Sequence, residues 1–483
     1  MTTPAISIDE ALTDPALFQP WFPGETWDGW RAVLKAAYAL PMTGDEVDFF
    51  RSVAERDPPK RRVRELWCVV GRRGGKDSVA SVIAAHSAAL FDQGHRLRPG
   101  ERALVMCLAV DRDQAKVVLN YTRSFFTDID LLKGMVQRET ANGFELTNSV
   151  DVTISTNSFR SVRGRPILCA ILDETAFWRD ESSATPDEET YKALRPALAS
   201  IPGSMIIGIS SPYRKSGLLY KKFKEHYGRD GDVLVIRAPT RTLNPLIDQD
   251  IIDEAMAEDP AAARAEWGAE FRDDIAGFAD IALIEGAVEY GVTVRPPRHG
   301  VRYRSGCDPS GGARDSFTAA IAHDEGNIAV LDCVVEIKAP FNPTSATEQI
   351  AKTLKSYGLN ETVGDKYAAE WVVDAFAKLG IKYAHSERDR SSIYLDALPM
   401  FMSGLVRLLD NKRLVNQFGS LERRTSSSGK DRVDHGPGGH DDVCNAAALA
   451  LVLGGEQPLI ITPDFAAAFA ALTHNQRPRG LFR

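Results

Sequence analysis

The stretch Leu66–Asp77, LWCVVGRRGGKD, constrains the fold more than any other part of the chain. An apolar run from Leu66 to Val70 stops at Gly71-Arg72-Arg73-Gly74-Gly75-Lys76, and a helical pattern resumes behind it over Ser78–Phe91. This predicts a strand, a glycine-rich turn and a helix with a lysine at its mouth. Amides freed by the glycines, the positive end of the helix dipole and the Lys76 ammonium then converge on polyphosphate. The turn departs from the general P-loop pattern, whose first glycine falls on Val70. The residue after Lys76, normally a hydroxyl for Mg²⁺, is Asp77, with Ser78 next.

A second apolar run, Ile167–Leu172, ends in Asp173-Glu174. A strand closing on two adjacent acids is the Walker B pattern, in which the first acid holds the Mg²⁺ water shell and the second polarises the attacking water. The two motifs occur in this order within alternating strands and helices, which predicts an ATPase. Further strands are expected at Ala103–Ala109 and Val233–Ala238. Ser204–Ser210 is another parallel-strand run. It delivers the Ser210 and Ser211 hydroxyls to the carboxyl edge of the sheet, where phosphates lie, although an ordinary turn before Pro212 explains them too. A helix over Thr26–Leu40 carries Trp27, Trp30, Val33, Leu34, Ala37 and Tyr38 on one stripe, as a core-facing helix or as a lid on an adenine base.

Beyond the composition shift at Gly277–Arg298, the pattern changes to three strands at hairpin spacing, followed by alternating helices and strands and a last helix. This is the order of an RNase H-like fold. Asp308 falls at the first strand, Asp365 at the end of the fourth, and Asp441-Asp442 at the start of the last helix. Crowded carboxylates repel until divalent cations relieve them, and two ions about 4 Å apart activate water and steady the leaving oxygen of a phosphodiester. Each acid also has a plain reading as a turn or helix cap. Asp389–Leu409 reads as one long helix, and Ser426–Gly439 as the most flexible loop of the chain.

The expected organisation is α/β throughout: a lead-in or adenine lid at 1–60, an ASCE-type P-loop ATPase with a mostly parallel sheet at 61–276, a linker at 277–299, an RNase H-like nuclease domain at 300–455, and a tail at 456–483. The formal net charge of −8 excludes a protein coated in basic patches, so nucleic acid must be met in a local groove. Six scattered cysteines without CxxC spacing predict buried thiols in a reducing compartment rather than a zinc or disulfide framework. No apolar run approaches the roughly 20 residues of a membrane span. With no signal-peptide pattern at the N-terminus, an intracellular protein is expected.

GRRGGKD at Gly71–Asp77, ILDETAFW at Ile171–Trp178, GISSPYRKSG at Gly208–Gly217, GDKYAAEW at Gly364–Trp371 and GGHDDVCNA at Gly438–Ala446 together resemble the large terminase subunit of tailed bacteriophages, over about residues 20–455. The shortened P-loop is usual in that family. The resemblance implies ATP with Mg²⁺, bound by Gly71, Arg72, Arg73, Gly74, Gly75, Lys76, Asp77, Ser78, Asp173, Ser210 and Ser211. Glu174 is the implied base and Arg163 the implied arginine finger, while Asp308, Asp365 and Asp442, with Asp441, would hold two Mg²⁺ or Mn²⁺ ions. Implied partners are double-stranded DNA, the portal and procapsid, a small terminase subunit and further copies of the chain, as a pentamer on the portal, in the host cytoplasm. Two alternatives stay open: a helicase-like or repair ATPase with a non-cleaving second domain, and an integrase- or resolvase-type nuclease with a regulatory ATPase.

Overall fold

The computed structural model describes residues 6–90, 97–98, 100–156, 165–178, 186–199, 201–313, 315–364, 370–425, 430–436 and 439–454. Contacts divide the chain into two compact units. The first is Met1–Ile284 with Lys412–Asp441, and the second is Glu285–Asn411 with the chain from Asp442 onward.

The first unit is built on an eight-stranded sheet. Its strands are β1 Glu65–Val70, β2 Ala103–Ala109, β3 Val136–Thr140, β4 Gly143–Leu146, β5 Val150–Thr156, β6 Ile167–Asp173, β7 Met205–Ser210 and β8 Val233–Ala238. They run in the order β3-β4-β5-β2-β6-β7-β1-β8. All neighbours from β5 to β8 are parallel, and β3 and β4 extend the sheet antiparallel. Every residue of β1, β2, β6 and β7 is buried, which is why these strands read as unbroken apolar runs rather than alternating ones. Strand β7 lies between β1 and β6, the order expected of the ASCE type. Its register against β1 pairs Gly208 with Trp67, and a Cβ at Gly208 would stand 2.1 Å from the indole.

The helix behind the glycine turn starts at Lys76, two residues earlier than its pattern suggests, and ends at Ala85 rather than Phe91. It continues as a π-turn, His86–Leu90. There the buried His86 ring donates from Nε2 to the Ile6 carbonyl (2.8 Å), tying down the start of the described chain. Asp28–Tyr38 is helical as expected, and Trp30, Val33, Leu34, Ala37 and Tyr38 face the core. All six cysteines are buried and free. A short strand, β9 Ile275–Gly277, closes the first stretch of this unit.

The second unit has a seven-stranded sheet: β10 Val288–Glu289, β11 Arg304–Asp308, β12 Phe317–Glu325, β13 Ile328–Ile337, β14 Glu361–Gly364, β15 Lys382–His385 and β16 Val406–Leu409. Its order is β10-β16-β13-β12-β11-β14-β15. The first three long strands are antiparallel, and β14 and β15 add in parallel. This is the RNase H-like arrangement. The expected helix Asp389–Leu409 is instead a helix Arg390–Met402 followed by β16. Gly404, at φ +67°, makes the break, and Val406, Leu408 and Leu409 are buried as strand residues. The last helix, Asp442–Val452, packs on the sheet. No described helix is long and apolar enough to cross a membrane.

Between β16 and that last helix, the chain returns to the first unit. A helix Lys412–Ser420 leads into β17 Leu421–Thr425 and β18 Asp431–His435, which pair as a hairpin and add to β9. The expected flexible loop Ser426–Gly439 therefore contains a strand. Val433 is buried and holds β18 in place, while residues 426–429, 437 and 438 of that stretch lie outside the described residues.

Candidate active sites

The first site gathers at the carboxyl ends of β1, β6 and β7. The P-loop turn is held from outside by its neighbours: the Gly71 amide donates to Ala238 O (3.2 Å) and the Arg72 amide to Glu266 O (2.6 Å). Thr240 Oγ1 donates to Arg72 O, Asn244 Nδ2 to Arg73 O (both 2.8 Å), and Trp30 Nε1 to Gly74 O (2.7 Å). With its carbonyls thus occupied, the turn holds Arg73 and Gly75 in the left-handed region, at φ +62° and +85°. A Cβ at Gly75 would meet Trp27 and Trp30 at 3.0–3.1 Å, so the two tryptophans wall one side of the turn. No side chain caps the following helix, and its first-turn amides have no intrahelical acceptor. Arg72 pairs with Glu266 at 3.3 Å, and Arg73 is exposed.

Lys76 Nζ lies 2.8 Å from Glu174 Oε1. Glu174 sits at φ +50°, a costly backbone for a residue with a side chain, fixed by its amide's bond to Ile209 O (2.8 Å). Its other oxygen accepts from Ser210 Oγ (3.0 Å) and the Ser211 amide (3.3 Å). Asp173 is 3% exposed and its Oδ1 has no hydrogen-bond partner among the described residues. Burial, then the neighbouring Asp77 and Glu174 charges, push its carboxyl up to about 8. Asp77 is also raised, chiefly by burial. The buried Ser211 and Thr175 hydroxyl oxygens are likewise unpartnered. Buried oxygens that nothing among the described residues satisfies, one of them a carboxylate oxygen, suit a hard divalent cation carried in with a polyphosphate.

In the second unit Asp308 closes β11, and Gly364 beside Cys307 closes β14. The β11–β14 pairing is pinned by Ser305 Oγ donating to Thr362 Oγ1 (2.6 Å). Helix Asp442–Val452 crosses β11 with almost no clearance, since a Cβ at Gly306 would stand 2.4 Å from Ala446 O. Arg304 donates to Ala450 O (2.6 Å) and Leu451 O (3.0 Å) at the far end of the helix. Strand and helix therefore run in opposite senses, which carries Asp308 toward the helix start, where the buried Asp442 stands. Asn445 is on the same face one turn later, and its buried Oδ1 has no partner among the described residues. Thr318, opposite Asp308 in the sheet, also has a buried unpartnered hydroxyl. These oxygens fit Mg²⁺ or Mn²⁺ in kind. Among the described residues, no three acidic, histidine or cysteine side chains converge as a complete metal site. Asp365 and Arg163 lie outside the described residues, and Asp441, buried, belongs to the first unit.

A family model described as "Uncharacterized protein MJ0330, N-terminal P-loop domain" matches residues 40–268. Residues 40–268 are a P-loop domain. No curated protein matches the chain. Among solved structures the chain is similar to the large terminase of bacteriophage HK97, at 14% identity and TM-score 0.37, over 88% of this chain and 94% of that one. It is similar to the large terminase of a thermophilic bacteriophage in complex with ADP, at 13% identity and TM-score 0.33, over 81% and 95%. It is also similar to the large terminase nuclease of thermophilic phage G20c with bound magnesium, at 16% and 0.31, over 35% and 95%.

Within the P-loop domain, the sequence-selected Gly71–Ser78, Asp173, Glu174, Ser210 and Ser211 come from three adjacent strands, with the side chains of Lys76, Glu174 and Ser210 in direct contact. Sequence reasoning missed Thr240 and Asn244, which grip the turn from 168 and 171 residues away. It also missed Asn445, whose spacing of three from Asp442 was available as a signal.

Proposed function

We propose that the chain is a viral genome-packaging motor. Its P-loop domain hydrolyses ATP to drive double-stranded DNA into a procapsid, and its RNase H-like unit cuts concatemeric DNA. The supporting observation is the convergence of Lys76, Glu174 and Ser210, with the orphaned Asp173 oxygen, at the carboxyl edge of β1, β7 and β6. ADP and magnesium occur in the neighbours named above, but the proposal rests on this chain's own donors.

In this reading the uncapped helix and Lys76 receive the β- and γ-phosphates, assisted by Arg73, Arg72 and the glycine amides of the turn. Asp173, with Asp77 and Ser78 at the helix mouth, would hold Mg²⁺, which would supply charge neutralisation of the phosphates. Glu174, released from Lys76 by the incoming phosphate, orients the attacking water and takes its proton. Ser210 and Ser211 hold that carboxylate in place. Arg163 serves as the arginine finger. In the second unit Asp308, Asp365 and Asp442, with Asp441, would hold two Mg²⁺ or Mn²⁺ ions, which would supply activation of water and stabilisation of the leaving oxygen in phosphodiester hydrolysis, and Asn445 lies one helical turn from Asp442. We assign ATPase function to 61–276 and nuclease function to 300–455 apart from the segment that packs with the first unit. A portal-bound pentameric ring and a small terminase subunit complete the proposed assembly in the host cytoplasm.

Protection of linear plasmid from DNase by procapsids, with wild type and Glu174→Ala, tests the motor. Wild type should protect DNA in an ATP-dependent way and the variant should not. A wild-type protein that hydrolyses ATP but protects nothing favours the repair-ATPase alternative. Strand transfer in place of simple cutting favours the integrase alternative.

A further inference from the structure

Two buried polar side chains stand beside Asp308 and Asp442 with hydrogen-bonding capacity left unused among the described residues. Thr318 is fully buried on β12, directly opposite Asp308, and residues opposite one another in an antiparallel pair share a face of the sheet. Its hydroxyl is one of the two orphans. Glu336, its neighbour across on β13, accepts from Ser316 Oγ (2.9 Å). Asn445 is 6% exposed in a helix whose other residues, Asp442 aside, are Val, Cys, Ala and Leu. Its Oδ1 is the other orphan.

The packing of helix on strand brings the two to one level. A Cβ at Gly306 would meet Ala446 O, Leu449 Cβ and Ala450 N at 2.4–2.9 Å. Gly306 and Asp308 share a face of β11, about 7 Å apart along the strand. The helix runs opposite to β11 and rises about 1.5 Å per residue, so that distance leads back from Ala446–Ala450 to the turn Asp442–Asn445. Asp442, Asn445, Ala446 and Leu449 follow the three-and-four spacing of one helix face. Thr318, Asp308, Asp442 and Asn445 are therefore gathered where the helix start crosses the sheet.

A buried amide oxygen or hydroxyl without a partner costs stability, and the cost is relieved when a ligand supplies one. An amide oxygen only accepts, so Asn445 Oδ1 is satisfied by a donor hydrogen or by a cation. Between carboxylates, a hard divalent cation relieves the crowded charge and takes amide oxygens as ligands. We propose that Asn445 Oδ1 is a neutral ligand of the divalent ion assigned above to Asp308 and Asp442, and that Thr318 is a positioning residue whose hydroxyl donates to the Asp308 carboxylate when the ion is bound. The inference rests on the metal-nuclease reading and extends it to two residues outside the acid set.

The test is Mn²⁺ binding to the full chain without nucleotide or DNA, followed by calorimetric titration and by loss of the free-ion electron paramagnetic resonance signal. Asp308→Asn identifies the binding component that belongs to this site. Asn445→Leu should weaken that component by about 10–100-fold. Asn445→Asp offers a charged oxygen at the same place, so it should bind Mn²⁺ more tightly than wild type while the ion-free protein melts at a lower temperature. Thr318→Val should weaken binding about tenfold, and Thr318→Ser should restore it. An Asn445→Asp that binds Mn²⁺ no more tightly than wild type overturns the ligand assignment, and wild-type affinity in Thr318→Val overturns the positioning role. If circular dichroism finds Asn445→Leu unfolded, the Asn445→Asp titration decides. A wild type that binds no Mn²⁺, or whose binding Asp308→Asn leaves intact, sinks the metal-nuclease reading instead, and this inference with it.

Discussion

The Lys76 ammonium and the Glu174 carboxylate form one ion pair at 2.8 Å, although one stands at the head of the P-loop helix and the other just past β6. A triphosphate arriving at Lys76 must compete with that carboxylate, and success frees the carboxylate to face water. In the proposed ATPase reading, substrate binding and release of the base would then be a single event.

Glu174→Gln should retain nucleotide binding, or tighten it by removing the competitor for Lys76. Hydrolysis should fall by about 10²–10⁴, the usual contribution of a general base. Single-turnover ATPase assays and equilibrium binding of a fluorescent nucleotide separate the two effects. A loss in kcat of less than about tenfold would assign the base to another residue.

Trp30→Phe keeps the ring against Gly75 but removes the donor to Gly74 O. A buried carbonyl left unpaired costs about 1–3 kcal/mol, expected here as weaker ATP binding of at least about fivefold with little change in kcat. An unchanged binding isotherm would show that the turn keeps its shape without the indole.

His86 has its ring held down to about 4, first by burial. Its Nε2 donates to Ile6 O, so a proton added at the unpartnered, buried Nδ1 would be a charge without an acceptor. The unfolded chain takes that proton at an ordinary pKa near 6.5. Stability from the neutral ring is therefore complete above about pH 6.5 and is lost as pH falls toward 4, by up to about 1.4 kcal/mol per pH unit. His86→Gln should flatten this part of the pH–stability curve in denaturant melts. A variant that follows the wild-type slope would place the acid sensitivity elsewhere.

Gly306→Ala places a methyl group 2.4 Å from Ala446 O. Overpacking of this kind costs about 1–3 kcal/mol and should push the last helix off β11. Because Asp308 and Asp442 ride on those two elements, DNA cleavage should drop far more than ATP hydrolysis. Equal losses in both activities would point to global unfolding instead.

Sequence patterning revealed the parallel core of the first unit because its central strands are buried on both faces: β2 matches the apolar run Ala103–Ala109 residue for residue, and the edge strand β8, with only Val233 and Arg237 half-buried, matches Val233–Ala238 as well. The P-loop and Asp173-Glu174 were legible because their chemistry is local, a turn and two acids at a strand end. What was not legible depends on distant partners. Nothing near Asn244 announces that its amide latches onto Arg73 O, and nothing in LERRT at Leu421–Thr425 announces that Glu422 is buried by Tyr213. The helical reading of Asp389–Leu409 runs too far because Leu405, Val406, Leu408 and Leu409 also fit a helical period, and Gly404 is the breaker it passes over.

The bare Gly208 beneath the Trp67 indole has a further consequence for the phosphate site. Sliding β7 by one residue against β1 would bring Ile207 or Ile209 under the ring, where no space exists. An absent side chain thus acts as a keyway, admitting a single alignment of the two strands. The height of Ser210 relative to Lys76 is thereby set in the middle of the sheet, well below the turn that precedes Lys76.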